Sequence, residues 1–157
     1  MKVKDIVVLH EAINAIKFTG LSKDDIRALL ANLRTCKKVA AYVEDMRETL
    51  IEKCKPEGFD ELDQWIREHA GEKITVEIRD KVNKHRLLSN QYNDSIRLQM
   101  EAQLDEDSDF EPATISSDGF DTIIEQECNK GVNPDLLLAL SDLVKEGSYG
   151  STWHQEQ

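Results

Sequence analysis

A chain of 157 residues is long enough for one domain with a modest core. Its formal net charge of -11 disfavours a nucleic-acid binder that works by neutralising phosphates, and permits a protein that docks onto basic partners. The three cysteines, Cys36, Cys54 and Cys128, are widely spaced and odd in number, which argues against a disulfide framework and for a reducing compartment.

The opening stretch, MKVKDIVVLHEAINAIKF, has no long apolar run and no small-residue cleavage site, so neither a signal peptide nor a membrane span is expected. Ile6, Leu9, His10, Ile13 and Ile16 recur at helical spacing and predict a first amphipathic helix over about 3–17. Thr19-Gly20 stops it. Ser22, with Asp25 three positions on, reads as a capping box in which Asp replaces Glu or Gln. From Ile26 to Cys54 the 3.6-residue period continues with no Gly or Pro, predicting one helix of about 22–54, roughly 50 Å long.

KPEG at Lys55–Gly58 is a turn signal. Phe59, Leu62, Trp65, Ile66 and His69 predict a short amphipathic helix that ends near Gly71. Ile78, Val82, His85, Leu88, Tyr92, Ile96 and Met100 then step by three or four, giving a second long helix over about 74–104 that starts near Thr75. Two long helices separated by a short one predict an antiparallel hairpin with the short helix at its tip.

The C-terminal third should cover that hairpin. Residues 105–118 hold Pro112 and no helical period, so they read as an extended strap anchored by Leu104, Phe110 and Ile115. Asp118 is placed to cap a short helix through Phe120, Ile123 and Ile124. Asn133-Pro134 starts a final helix carrying Leu137, Leu140 and Val144, ended by Gly147. The expected fold class is therefore mostly α: a long antiparallel hairpin with a short tip helix, an acidic extended strap and a C-terminal helix packed on it. Residues 1–146 form a single helical domain in this reading and 147–157 a disordered tail.

The strap invites a metal. It carries five acids in the seven positions 105–111, and Asp105, Asp107 and Asp109 alternate like the first ligands of a calcium loop. Counting from Asp105, however, position six is Phe110 instead of Gly and position twelve is Ser116 instead of a bidentate Glu. Calcium binding is not expected. Zinc fares no better, because the cysteines and histidines lack ligand spacing. No G-x-S-x-G or glycine-rich phosphate loop is present, so no catalytic residue, cofactor or metal is assigned. Cys36 lies beside Lys37 and Lys38, which could lower its pKa, but no His–carboxylate pair accompanies it in sequence. Glu101 and Asp105, one turn apart, could share a proton or a metal, though solvation is the plainer role.

Cations cluster in one place. Arg27, Arg34 and Lys38 step by seven and four and share a face of the second helix. Acids of the facing helix or of the strap are their expected partners, and a docking surface is the functional alternative. The candidate interaction surface is accordingly Arg27, Arg34 and Lys38 with Asp105, Asp107 and Asp109.

The order of elements resembles a family of small proteins encoded by tailed phages and prophages. The family's opening short helix and long charged helix, with a late Arg-x-x-Leu, are matched by Arg47 and Leu50 in the second helix. Its acidic segment with an I-S-x-D-x-F-like turn is matched by RLQMEAQLDEDSDFEPATISSDGF, with Ile115, Ser116, Asp118 and Phe120. Its final L-S-P-x-x-L-x-A-L helix is matched by Pro134, Leu137, Ala139 and Leu140 of VNPDLLLALSDLV. The resemblance implies a phage-encoded accessory protein associated with virion or tail assembly, and a strap whose charge keeps it soluble and unpaired. It brings no catalytic residues.

These readings converge on a non-enzymatic protein that works through a protein partner, without direct nucleic-acid or membrane binding, in the host cytoplasm or associated with virions. The alternative from another class is an acidic inhibitor of a host defence or nucleic-acid-binding protein.

Overall fold

A computed structural model of the chain describes residues 1–127, 130, 131 and 133–144. The readings of Cys128 and of the 147–157 tail lie outside the described residues, while the last helix, expected to carry Val144 and to end at Gly147, stops at Ser141 with Asp142 as its C-cap, so Val144 follows the helix in a bridge with Ile115. The protein is mostly helical, with six helices among the described residues: α1 Val3–Ala15, α2 Lys23–Lys53, α3 Phe59–Glu68, α4 Val76–Leu104, α5 Ser117–Glu127 and α6 Pro134–Ser141. Extended pairing among these residues is limited to two isolated bridges, Lys2 with Asp107 and Ile115 with Val144.

α2, α4, α5 and α6 begin where side chains can take up orphan backbone donors, whereas α1 and α3 start without a side-chain cap. Ser22 Oγ accepts the Asp25 N–H at 3.2 Å, Thr75 Oγ1 accepts that of Ile78 at 3.2 Å, and Asn133 Oδ1 accepts that of Asp135 at 2.9 Å, with Pro134 at the first helical position. The cap of α5 differs from the expectation. Ser116 Oγ, not Asp118, receives the Gly119 N–H at 3.0 Å, because the extended strap ends at Ser116 and the helix starts directly after it. Between α1 and α2 the chain turns through Gly20, whose φ of 82° lies in the left-handed region that glycine tolerates best.

The chain falls into two compact units: Met1–Val43 with the chain from Leu104 onward, and Glu44–Gln103. In the first, α1 is the central element. Its Ile6, Leu9, Ala12 and Ile13 are buried, and they pack with Leu29 and Cys36 of α2, Ile115 of the strap, Phe120 and Ile123 of α5, and Leu140, Leu143 and Val144 at and after α6. α6 lies chiefly against α1 and then against α5. Phe110 is half-buried against this core.

The second unit holds the turn of the hairpin, and only Leu50 and Met100 are buried within it. Half-buried Leu62, Ile66, Ile78, Leu88 and Ile96 accompany them, together with aromatic and polar contacts. Phe59 stacks on His85 with ring centres 5.1 Å apart and meets Tyr92 edge-on at 5.5 Å. Asp63 joins His85 at 3.0 Å and Arg67 at 2.9 Å, and the Lys81 ammonium sits 4.3 Å from the Trp65 ring centre. Residue numbers rise along α3 as they fall along α4, so α3 runs antiparallel beside the first half of α4. The end of α2 meets the second half: the Tyr92 hydroxyl donates to the Ile51 carbonyl, and the Gln99 amide to Cys54 Sγ at 3.3 Å.

Leu140 is fully buried, so Leu140→Ala should cost about 2–5 kcal/mol through lost burial and the cavity left behind. Denaturant melts measure this. A change below about 0.5 kcal/mol, the range for surface sites, would show that α6 is not part of the core.

Candidate interaction surface

The strap, residues 105–116, is fixed from two sides. At its acidic end the backbone pairs with Met1 and with the first residue of α1: the Val3 N–H donates to the Glu106 carbonyl at 3.0 Å and the Ser108 N–H to the Met1 carbonyl at 2.9 Å. The Asp105 carboxylate accepts from the Lys2 ammonium at 2.8 Å, with Lys4 at 3.6 Å. The hydrogen bond and charge of Lys2, then the charge of Lys4, hold the Asp105 carboxyl below its ordinary value, and Asp105 raises the Lys2 ammonium in turn. The resemblance implied an unpaired strap, but these residues are backbone-paired.

Further along, the strap is read by two polar side chains of α2. Asn32 is 1% exposed; its amide donates to the Ala113 carbonyl at 2.9 Å and accepts the Ala113 N–H at 2.7 Å. It therefore pairs with the strap as a neighbouring β-strand would. Asp25, 5% exposed, accepts the Ser116 N–H at 2.8 Å and the Ser116 hydroxyl at 2.6 Å. The spacings agree. Seven helical residues rise about 10.5 Å, and three extended residues cover about 10 Å, so Ala113 and Ser116 fall opposite Asn32 and Asp25 in antiparallel register. Between them Ile115 is buried and its N–H donates to the Leu143 carbonyl at 2.8 Å.

Gly119 completes the lock. A Cβ there would lie 2.2 Å from Asp25 Oδ2, so the carboxylate occupies the space that any side chain at 119 would need.

The sequence-predicted residues separate into two sets. Asp105 is engaged with Lys2 and Lys4, while the side chains of Asp107 and Asp109 are exposed. Arg27, Arg34 and Lys38 are exposed on α2. The expectation that strap acids would pair with them is corrected: among the described residues the strap's ion pairs are to Lys2 before α1 and Lys4 in α1, because backbone pairing at Val3 and Met1 brings those lysines within reach. Arg27 meets Asp24 of its own helix at 3.9 Å, and no ion pair to Arg34 or Lys38 is found among the described residues.

Two further readings are corrected. Cys36 is fully buried, and burial pushes its thiol up to about 11, so Lys37 and Lys38 do not activate it. Glu101 pairs with Arg97 at 3.2 Å while Asp105 turns to Lys2, so the two acids do not act together. Among the described residues no three His, Cys, Asp or Glu side chains converge as a metal site would require, and no helix is long and apolar enough to cross a membrane. Sequence reasoning missed Asp25 as a buried acceptor and Asn32 altogether. The available signal was their position on the stripe that also carries Leu29 and Cys36, where a buried polar group needs a partner.

Fold and surface together define a mostly α-helical protein with an acidic strap hydrogen-bonded across a long helix. Comparison with protein-family models, curated proteins and solved structures finds no match.

Gly119→Ala tests the lock, since replacing glycine inside a helix usually gains roughly 0.5–1 kcal/mol. Here it should destabilise, and Asp25→Ala should cost about 2–5 kcal/mol by stranding the Ser116 donors. A thermal melt in which Gly119→Ala is as stable as the parent or more so would mean that the carboxylate lies elsewhere. The Asp105 contact is checked by pH. Its folded pKa is depressed, so it stabilises above the ordinary carboxylate value and is lost as pH falls through the lowered one. In an NMR titration Lys2→Met should raise the Asp105 midpoint; an unmoved midpoint would show that the pair does not form in solution.

Proposed function

We propose that the protein is a non-enzymatic accessory protein that docks onto a basic partner protein through the acidic strap. The observation that supports this best is the combination of exposed Asp107 and Asp109 side chains with a strap backbone already bound at Val3, Met1, Asn32 and Asp25. A segment that is ordered before binding loses little conformational entropy when a partner arrives. Outward carboxylates steer the encounter and make it salt-sensitive. The net charge of -11 agrees with a protein partner in preference to nucleic acid. The resemblance to tailed-phage proteins supplies the setting, which is virion or tail assembly in the cytoplasm of an infected or lysogenic bacterium.

Affinity capture from such cells tests this reading, with Asp107→Asn/Asp109→Asn as the comparison. The double variant should fold with a stability change under about 1 kcal/mol, as surface substitutions do. It should lose the captured protein or bind it with a slower on-rate. Identical capture by both forms would remove the strap from the account, and capture of nucleic acid alone would replace the reading.

A further inference from the structure

Within the second unit, α3 is attached by side chains alone. None of its residues is buried, and Phe59, Leu62, Trp65 and Ile66 are only half-buried. Among the described residues no backbone hydrogen bond ties it to another helix. It starts at Gly58, with φ 77° and no side-chain cap, and is followed by Gly71 with φ 84°. A Cβ at either glycine would meet nothing within 4 Å. Packing therefore does not call for glycine at these joints. The left-handed backbone does, and both joints sit in open space.

The seat of α3 on α4 rests on few contacts. His85 of α4 touches two α3 residues one turn apart: it stacks on Phe59 with ring centres 5.1 Å apart and meets the Asp63 carboxylate at 3.0 Å. Tyr92 meets Phe59 edge-on, and the Lys81 ammonium lies 4.3 Å from the Trp65 ring centre. The exposed pair of Lys55 with Asp60 at 3.3 Å adds little. The other polar contacts of α3 are internal and move with it: Arg67 with Asp63, Gln64 with Glu68, and His69 stacked on Trp65 at 3.8 Å.

We infer that α3 is a hinged latch that releases from α4 as one piece between Gly58 and Gly71, with His85 as its catch. A helix of ten residues does not persist alone in water, so release and unwinding are a single event. Release uncovers the α4 stripe of Ile78, Lys81, His85, Leu88 and Tyr92, spaced three and four apart and half-buried while the latch is closed. The hydrophobic core lies in the first unit, so the latch opens without disturbing it. The inference does not depend on what the strap binds.

Native-state hydrogen exchange on the full chain, followed by NMR in low urea, tests the latch. Amides 63–68 should share one protection factor, at least about tenfold below that of the α1 core amides. Their protection should fall with urea on a shallow but non-zero slope, because opening exposes the stripe and not the core. His85→Ala removes the stack and the Asp63 contact together, so it should lower α3 protection by about tenfold and leave α1 unchanged. Phe59→Leu, which removes only the ring contacts, should act in the same direction by less. Protection of α3 equal to that of α1 would overturn the inference. So would protection graded from one end of α3 with no urea slope, as fraying gives, or a His85→Ala effect on α1 as large as on α3.

Discussion

The hydrogen bonds between Asp25 and Ser116 organise much of the first unit. A carboxyl group that is 5% exposed must find hydrogen-bond partners, because a polar group out of water is costly unless it is bonded. Ser116 supplies two of them, at 2.8 and 2.6 Å. That fixes where the strap ends, and hence where α5 begins, since the same Ser116 hydroxyl accepts a free N–H of the helix's first turn, that of Gly119. Position 119 must then stay small. Ile115, one residue before, is turned into the core and pairs with the chain after α6.

Asn32 extends the same logic one heptad further along α2. Its amide offers the strap a donor and an acceptor in the arrangement of a peptide group, so Ala113 is paired without a second strand. Pairing by side chains suits a strap of this composition. Its acids keep their carboxylates in water while the backbone, the same in every residue, makes the attachment. The strap is therefore specified by backbone geometry and two polar contacts, and its charges are left for other uses.

Much of the helical frame was legible in the sequence. α2 and α4 lie within a residue or two of the expected ranges because long apolar periods without Gly or Pro admit few other structures. The Asn133-Pro134 start and the anchoring role of Ile115 were legible for similarly local reasons. The lock was not. Asp25 three residues after Ser22 looks like half of a capping box, and its true partner is 91 residues away. The expected pairing of strap acids with Arg27, Arg34 and Lys38 failed for a related reason. Charge complementarity in a sequence does not say which backbone segments pair, and here that pairing delivers Lys2 to Asp105.

Native-state hydrogen exchange at the Ala113 and Ser116 amides addresses the lock most directly. If Asn32 and Asp25 hold them as described, both amides should be protected about as strongly as core amides of α1, and added salt should leave that protection intact because the contacts are buried. Exchange at the rate of an exposed loop, or protection that vanishes with salt, would show that the strap is held by its surface charges instead.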